Sequence, residues 1–180
     1  MEARSDVESL VERARGADVE AWETLYRSLY PRLLAYARHQ LDADRAGEAV
    51  SEAMTRAVAG IDRFVWKGGG FEGWLFGILR HVIVDTQRRD GRAGAMAVAD
   101  AETDWAEPVE GLLAAEEACA VRAAFGRLRA EDQELLHLRV VAGLSSEEVA
   151  AVVGKRRGAV RMAQSRALDR LRQLLEDSPA

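Results

Sequence analysis

The sequence predicts an all-α protein made of two small helical domains that a flexible acidic linker joins. Three observations support this fold class. Ala, Leu, Arg and Glu outnumber β-branched and aromatic residues, and only 3 of the 180 residues are proline, which favours helix over sheet. Apolar residues recur at three- and four-residue spacing along separate stretches of the chain. That periodicity lapses between the two halves, so we place the domains at residues 1–90 and 112–180 and the linker at residues 91–111.

The first domain is predicted to contain three helices, over Asp18–Leu41, Arg45–Phe64 and Trp74–Arg89, each with an apolar stripe. Asp18 is suited to be the N-cap of the first helix. Pro31 is expected to kink or divide that helix, because proline lacks a backbone N–H. On the second helix, the residues assigned to the buried side are Ala46, Ala49, Val50, Ala53, Met54, Ala57, Val58 and Ile61.

The segment Trp66–Gly73, between the second and third helices, contains three consecutive glycines. Glycine loses more backbone entropy than any other residue when it becomes helical. We therefore predict that this segment is a loop and that the third helix begins after it, with Trp74 on the buried stripe.

The second domain is predicted to contain helices over residues 112–128, 130–141, 146–153 and 158–175. Gly143 is placed to end the second of these in the left-handed conformation. Ser145 and Glu148 have the spacing of a capping box, and Leu144 and Val149 that of the hydrophobic staple around it. Gly154 then ends the short third helix. Two helices joined by a glycine-containing turn form the helix-turn-helix pattern, whose second helix enters the DNA major groove.

Charge is distributed unevenly along the chain. The formal net charge is −5, which by itself argues against a nucleic-acid partner. Residues 91–111 hold one basic residue against five acidic ones, whereas residues 155–172 hold seven basic residues against Asp169 alone. This local basic cluster lies in the helix-turn-helix and favours DNA binding. The alternative, an ordinary helical hairpin with a solvated basic face, remains open.

No catalytic or metal-binding constellation stands out. Cys119 is the only cysteine, which excludes an intrachain disulfide or a cysteine zinc site, and we expect a buried, inert thiol. His39, His81 and His137 are isolated, with no pair at metal-ligand spacing. The glycine run lacks the Lys-Ser or Lys-Thr of a phosphate-binding loop. The sequence thus predicts a protein that is not an enzyme, without cofactor or metal.

No targeting or membrane segment is predicted. The first residues have no apolar core, unlike a signal peptide. No apolar run approaches the ~18 residues that a membrane span requires. We therefore expect a cytoplasmic protein.

Two parts of the chain resemble a known family. Residues 128–139 with residues 143–150 resemble the fourth conserved region of extracytoplasmic-function (ECF) sigma factors, members of the sigma-70 family. Residues 18–37, 46–54 and 71–78, with Asp85 and Arg88–Arg89, are similar to the second conserved region. The resemblance implies a sigma factor that directs promoter-specific initiation of transcription. Its implied partners are promoter DNA, the RNA polymerase core (through the β′ clamp and the β flap) and an anti-sigma factor.

The resemblance also implies three functional surfaces. The residues implied to bind the polymerase core are Glu48, Ser51, Glu52 and Arg56. Those implied to bind the minus-ten element as a single strand are Trp66, Lys67, Phe71, Arg80, His81, Arg88 and Arg89. Those implied to bind the minus-thirty-five element as duplex are Lys155, Arg156, Arg157, Arg161, Met162, Ser165 and Arg166.

Some alternatives stay open at this point. Trp66 and Phe71 are divided evenly between base stacking and packing, and the linker between threading the polymerase cleft and acting as a plain tether. The sequence departs from the usual family residues at five positions, which puts the fine promoter preference in doubt: Glu48, Ser51, His81, Ala159 and Ala163. The principal alternative function is a helix-turn-helix regulator that does not engage the polymerase core.

Overall fold

The computed structural model describes residues 2–91 and 112–177, and within these ranges it contains helices and turns but no strand. This confirms the all-α prediction. The predicted linker lies almost entirely outside the described residues. We refer to residues 2–91 as the N-terminal unit and to residues 112–177 as the C-terminal unit.

The N-terminal unit contains four α-helices: α1 (Glu2–Arg15), α2 (Val19–Arg38), α3 (Ala43–Gly60) and α4 (Gly70–Arg89). A 3₁₀ turn over Ile61–Arg63 follows α3. The C-terminal unit contains α5 (Leu112–Gly126), α6 (Ala130–Leu136), a π-helical turn (His137–Val141), α7 (Ser146–Val153) and α8 (Arg157–Glu176).

Helix α1 was not predicted, although its sequence carries the pattern of an amphipathic helix. Val7, Leu10, Val11 and Ala14 have the i, i+3, i+4, i+7 spacing of one helix face. Val11 and Ala14 are buried in the core, and Val7 and Leu10 pack against it. The Trp22 indole also donates a hydrogen bond to the Ala14 carbonyl, at 3.2 Å. These contacts hold α1 against α2.

The N-cap of α2 is as predicted, because an Asp18 carboxylate oxygen accepts a hydrogen bond from the Ala21 amide at 3.1 Å. The Arg13 guanidinium also donates to this carboxylate, and this bond, followed by the one from the Ala21 amide, lowers the pKa of Asp18 below its ordinary value. Pro31 does not divide the helix, which continues to Arg38.

Two predictions about α3 and α4 were wrong. Val58 was assigned to the buried side of α3 but is 51% exposed. Helix α4 begins at Gly70, four residues before the predicted start, so the second half of the predicted Trp66–Gly73 loop is helical. Gly70 adopts a positive φ of 57°, which glycine permits. Phe71, which is 1% exposed, anchors the first turn in the core, and this burial outweighs the low helix propensity of the glycines.

The end caps of the helix-turn-helix are those predicted. Gly143 and Gly154 both have φ of 66°. The Ser145 hydroxyl accepts from the Glu148 amide at 3.2 Å, and the Glu148 carboxylate accepts from the Ser145 amide at 2.6 Å. Leu144 and Val149, the predicted staple pair, are fully buried. Local sequence therefore determines the start of α7 and its end.

The two units pack against each other rather than standing apart. Helix α7 lies on α4, and the π-helical turn lies against α2. One hydrophobic core includes residues from both units, for example Leu33 and Phe76 with Leu138 and Val149. A second, smaller core inside the C-terminal unit contains Leu128, Leu136 and Ala167. The prediction of two helical units was correct, but their mutual packing was not predicted.

Two further observations bear on expectations drawn from the sequence, one about the cysteine and one about membrane spans. Cys119 is exposed, so the expectation of a buried thiol was wrong. It lies on α5, whose neighbouring residues Ala118 and Ala120 are not buried either. Among the described helices, none is both long and apolar enough to cross a membrane.

Candidate nucleic-acid interface

The basic surface of the helix-turn-helix is formed by the start of α8 and the turn before it. The seven residues expected to contact the minus-thirty-five duplex are all exposed: Lys155, Arg156, Arg157, Arg161, Met162, Ser165 and Arg166. Met162 is 64% exposed, which is unusual for a large apolar side chain. Val160 and Ala167 are fully buried on the opposite side of α8. The helix thus presents to solvent a largely basic face that also includes the apolar Met162 side chain.

Most of these cations are not neutralised within the described part of the chain. Lys155 lies 3.7 Å from the Glu131 carboxylate. No ion pair joins Arg156, Arg157, Arg161 or Arg166 to any residue that the structure describes. The orientation of α8 is set elsewhere, by the Arg170–Asp132 pair at 2.5 Å and by the hydrogen bond from Arg139 to Gln164 at 2.9 Å. Contacts elsewhere on α8 therefore orient the basic face, and its arginines are left free of ion pairs with the described residues.

The residues expected at the minus-ten element fall into three different environments. Lys67, His81, Arg88 and Arg89 are exposed. Trp66 is partly buried, and its indole donates to the Glu12 carboxylate at 3.2 Å. Arg80 is ion-paired with Glu134 of the C-terminal unit, at 2.8 Å. The structure therefore does not gather all seven into one open surface.

Phe71 has a packing environment. It is 1% exposed, and its ring lies 5.6 Å from that of Phe64 and 5.5 Å from that of Trp74. Base stacking and core packing were the two roles left open for Phe71. Its position in this structure is that of a packed core residue. Trp74, predicted to be a core residue, packs partly buried against the same cluster.

A cavity of about 230 Å³ lies at the junction of the glycine segment and the start of α7. The N-terminal unit lines it with Val7, Trp66, Gly68, Gly70, Phe71 and Glu72, and the C-terminal unit with Ser145, Glu147 and Glu148. The glycine segment, which the resemblance implies would contact a DNA base, thus faces the carboxylates of Glu147 and Glu148 across this cavity.

The expected polymerase-binding residues share one outer face of α3. Glu48, Ser51, Glu52 and Arg56 are all exposed, and Arg56 donates to Glu52 at 2.8 Å. The exposed Val58 follows Ser51 by seven residues and extends this face with an apolar side chain.

Glu134 on α6 connects the two units through polar contacts. Its carboxylate oxygen accepts from the Tyr36 hydroxyl at 3.0 Å and from the Arg80 guanidinium at 2.8 Å. Burial, with the nearby Glu134 charge, raises the pKa of Tyr36 well above its usual range. The hydrogen bond to Glu134 raises the pKa of Arg80. Tyr36 therefore remains a neutral donor.

Arg32 makes a second connection between the units. It forms a bidentate pair with Glu72, at 2.9 and 3.1 Å, and donates to the Ala142 carbonyl in the C-terminal unit at 2.7 Å. Because Glu72 is in the first turn of α4, this one guanidinium joins α2, α4 and the turn before α7.

Two histidines that are isolated in sequence meet in space. The rings of His39 and His137 stack with centroids 3.5 Å apart, and Phe125 packs edge-on against both. Burial lowers the pKa of His39 to about 4, although Glu134 acts in the opposite direction. Burial and then the proximity of His39 lower the pKa of His137 to about 3. Within the described residues no cluster of three or more potential metal ligands occurs.

The inter-unit residues were missed from sequence because nothing local marks them. Glu134 and Arg32 are ordinary charged residues on amphipathic helices, separated in the chain by about a hundred positions. Only the packing of the units gives them a role.

Comparisons with known proteins agree with the two-part organisation. Residues 25–93 match the family model for Sigma-70 region 2, and residues 124–173 match the model for Sigma-70 region 4. The ECF RNA polymerase sigma factor ShbA of Streptomyces griseus is 35% identical, over 93% of this chain and 94% of its own. SigD of Mycobacterium tuberculosis, also an ECF RNA polymerase sigma factor, is 31% identical over 92% of this chain and 82% of its own.

Solved structures show the same fold. The sigma factor RpoE of Bartonella quintana, in complex with the anti-sigma factor NepR, superposes with a TM-score of 0.64 at 27% identity, over 89% of this chain and all of that one. CnrH in complex with the cytosolic domain of CnrY superposes with a TM-score of 0.66 at 22% identity, over 96% of this chain and 99% of that one.

Proposed function

The chain belongs to the ECF sigma factors of RNA polymerase, and on this premise we propose that three of its surfaces divide the work of initiation. As a sigma factor, it binds the polymerase core and promoter DNA and directs promoter-specific initiation. The proposal concerns which residues perform each step. We also propose that the protein acts in the cytoplasm, where transcription takes place, and as an initiation factor without catalytic activity of its own.

The first surface is the basic face of α8, which we assign to the minus-thirty-five duplex. Its support is the row of exposed arginines without ion pairs beside a capped turn. Arg161 and Arg166 are placed to reach guanine edges, since a guanidinium can bond both O6 and N7 of guanine. Lys155, Arg156 and Arg157 are placed to neutralise phosphates and fix the position of the helix.

The second surface is the glycine segment with α4, which we assign to the separated strand of the minus-ten element. Trp66 supplies a partly exposed aromatic ring, on which a base can stack for about 1–3 kcal/mol. Lys67, His81, Arg88 and Arg89 supply exposed polar contacts to the strand. In this assignment residues 1–90 act on melted DNA, residues 112–180 act on duplex, and residues 91–111 join them.

The third surface is the outer face of α3, which we assign to the polymerase core. Glu48, Ser51, Glu52 and Arg56 supply its polar contacts. An anti-sigma factor is a further proposed partner, supported by the complex in which the related RpoE was solved with NepR.

The observation that carries the residue assignments is the exposed, unpaired basic face of α8. The test is run-off transcription with purified core polymerase and this protein as the only initiation factor, combined with sequencing of transcript starts. We expect defined start sites that share elements near minus ten and minus thirty-five. Binding to duplex DNA without any start-site selection would instead identify a helix-turn-helix regulator that does not engage the core.

A further inference from the structure

Helix α1 is bonded through polar side chains to the segment that carries Trp66. A Glu12 carboxylate oxygen accepts a hydrogen bond from the Trp66 indole at 3.2 Å, and the same oxygen accepts from Arg15 at 3.1 Å. The Arg15 guanidinium also donates to the Ile61 carbonyl at 3.3 Å and to the Phe64 carbonyl. Two residues of one helical turn thus hold a segment that lies 46 to 54 positions further along the chain.

Arg15 restrains the backbone that leads from α3 to Trp66. Phe64 has extended backbone, with φ of −65° and ψ of 131°, so its carbonyl lies outside the helical hydrogen-bond ladder. One planar guanidinium can serve several acceptors, because its N–H groups have a fixed geometry. Its central carbon also lies 5.8 Å from the centroid of the Phe64 ring, a distance at which a cation is attracted to an aromatic face. Arg15 therefore holds Phe64 through both its backbone and its ring.

The Trp66 side chain is restrained at two places. Its ring meets that of Phe64 edge to face, with centroids 4.9 Å apart and an interplanar angle of 73°, and its N–H is bound by Glu12. Only two torsion angles orient a tryptophan ring, so these contacts are sufficient to select one orientation. The ring nevertheless stays partly exposed, which stacking on a base requires.

These polar contacts are separate from the packing that holds α1 in place. Val11 and Ala14 supply that packing, since both are buried in the core. The side chains of Glu12 and Arg15 are 55% and 28% exposed, so water competes for their bonds and their contribution to the free energy of unfolding is small. Their main consequence is local and falls on Trp66. Helix α1 also lies before residue 25, where the match to Sigma-70 region 2 begins.

We propose that α1 is a positioning element for the minus-ten surface: Glu12 and Arg15 hold the Trp66 ring in the orientation in which it stacks on a base of the separated strand. This inference rests on the proposed function of that surface. A ring that is already immobilised loses less conformational entropy when the strand binds, which increases the affinity. Glu12 and Arg15 act through Trp66 rather than by touching DNA.

Two substitutions of Glu12 separate its hydrogen bond from its charge. Glu12→Ala removes the acceptor, and we expect it to weaken binding of the minus-ten strand roughly fivefold. Glu12→Gln keeps an acceptor oxygen for the Trp66 indole, and we expect affinity within about twofold of the wild type. Loss of a carboxylate by itself favours binding to a nucleic acid, so weaker binding by Glu12→Ala has the sign of a positioning effect.

Arg15→Lys keeps the charge but loses the planar fork that reaches two carbonyls. We expect it to weaken strand binding roughly threefold. The matched control for loss of a carboxylate is Glu20→Ala, because the Glu20 side chain is 90% exposed and lies 3.9 Å from Arg13. We expect no weakening of strand binding in this control.

Trp66→Phe tests whether the effect of Glu12 passes through the indole N–H. Phenylalanine retains an aromatic ring but cannot donate to Glu12, so we expect Glu12→Ala to cause no further loss in a Trp66→Phe chain. The ring itself is followed by fluorine NMR of protein labelled with fluorotryptophan, in which the Trp66 signal is the one that Trp66→Phe lacks. Glu12→Ala should shift or broaden this signal, and Glu12→Gln should leave it in place.

Strand binding is measured by fluorescence anisotropy with holoenzyme assembled from purified core polymerase and each variant. The probe is a single-stranded oligonucleotide that copies the minus-ten region of a start site mapped in the run-off experiment. Binding of the minus-thirty-five duplex, measured in parallel, should be equal in all variants, because α8 is unchanged. Circular dichroism and urea denaturation check that each variant folds.

Equal strand binding by Glu12→Ala and the wild type would overturn the inference. A loss that Glu12→Gln shares, or that persists in the Trp66→Phe chain, would overturn it as well. The assignment of Trp66 to the strand is judged separately by Trp66→Ala. If Trp66→Ala loses strand affinity while Glu12→Ala does not, the assignment stands and the positioning role fails. If Trp66→Ala binds the strand like the wild type, both fail together.

Discussion

Glu134 is the side chain on which the polar contacts between the units converge. Its side chain is 17% exposed and accepts from Tyr36 and Arg80 through the same oxygen. A carboxylate in this position satisfies a buried hydroxyl and neutralises a partly buried guanidinium together. Its amide counterpart can still accept hydrogen bonds from Tyr36 and Arg80 but leaves the Arg80 charge without an ionic partner, which is the more costly loss.

We predict that Glu134→Gln lowers the free energy of unfolding by about 1 kcal/mol, because Arg80 is partly solvated and its unpaired charge is only moderately penalised. Urea denaturation measures the change. The matched control is Glu131→Gln, on the same helix, whose side chain is 85% exposed and pairs with Lys155 at 3.7 Å. If both variants unfold at the same urea concentration, Glu134 does not have the role assigned to it.

Helix α8 separates its packing side from its binding side. Val160 and Ala167 pack inward while Arg161, Met162 and Arg166 point to solvent, so a substitution on the outer face changes the proposed DNA-binding surface without disturbing the fold. A phosphate contact and a base contact have different signatures in this setting, since only the first is independent of sequence.

We predict that Arg161→Ala weakens promoter binding by the holoenzyme about tenfold, equivalent to ~1.4 kcal/mol. Filter binding or fluorescence anisotropy on promoter duplex measures the affinity. Arg172→Ala is the control, because Arg172 lies near the other end of α8 and pairs with Asp169. Equal effects of the two substitutions would mean that the start of α8 does not contact the duplex.

Helix α3 offers its outer face with an internal ion pair, Glu52–Arg56. Exposed pairs of this kind contribute little to stability, about 0.3–0.5 kcal/mol for an i, i+4 pair. A charge reversal there therefore reports on a partner rather than on folding.

We predict that Glu52→Arg weakens binding to the polymerase core by roughly tenfold, since it places two like charges on the proposed contact surface. A pull-down or biolayer interferometry with purified core measures this. Glu23→Arg is a matched control, because Glu23 forms the same i, i+4 pair with Arg27 on α2, outside the proposed surfaces. A reversal at Glu52 that is as harmless as the one at Glu23 would contradict the assignment.

The complete fold depends on one core that both units build. The stacked pair His39–His137 lies at their junction, where His39 Nε2 and His137 Nδ1 are buried and have no hydrogen-bond partner among residues 2–91 and 112–177. Protonation of either ring would place a cation beside the other in an apolar setting. Glu134 partly offsets this for His39, and no comparable compensation acts on His137.

This pair predicts a pH dependence of stability. The pKa values of about 4 for His39 and about 3 for His137 lie below the ordinary histidine value of 6.5. The unfolded chain therefore binds protons between pH 6.5 and about 4 while the folded chain does not. The stabilisation is complete above pH 6.5 and is lost as the pH falls through that window. We expect the free energy of unfolding to be about 2–3 kcal/mol lower at pH 5.5 than at pH 7.5, because each of the two histidines contributes about 1.4 kcal/mol for the pH unit below 6.5.

Urea denaturation at the two pH values measures the effect. The double variant His39→Phe and His137→Phe keeps two aromatic rings but has nothing to protonate, so most of the pH dependence should disappear. His81→Asn removes the exposed third histidine and should leave the dependence unchanged. Equal free energies of unfolding of the wild type at the two pH values would contradict the prediction that the buried pair disfavours protonation in the folded state.

Much of the local structure was predictable from neighbouring residues. Asp18 caps α2, Ser145 and Glu148 close the capping box, and Gly154 ends α7. Each of these depends on a few consecutive residues, so the responsible interactions can be identified in the sequence. Helix α1 was also predictable in this way, because its apolar residues have the spacing of one helix face, but we did not predict it. The three proposed surfaces also follow from local patterns and from the resemblance to the family, and they stay predictions.

The errors have a common physical cause. Val58 and Cys119 have apolar or thiol side chains whose spacing or type suggested burial, but exposure depends on what packs against a helix. Phe71 was undecided for the same reason. Its burial depends on Phe64 and Trp74, and the early start of α4 depends on that burial.

Sequence patterns alone were sufficient for most of the helices and their caps, the basic face of α8 and the division into two halves, because these features arise from residues within one or two helical turns. The closed packing of the halves was decided only in three dimensions. Arg32 and the Ala142 carbonyl, which form a hydrogen bond between the two units, are separated by 110 positions along the chain. Contacts between distant segments leave no periodic trace, and for this reason the packing of the two halves emerged only from the folded chain.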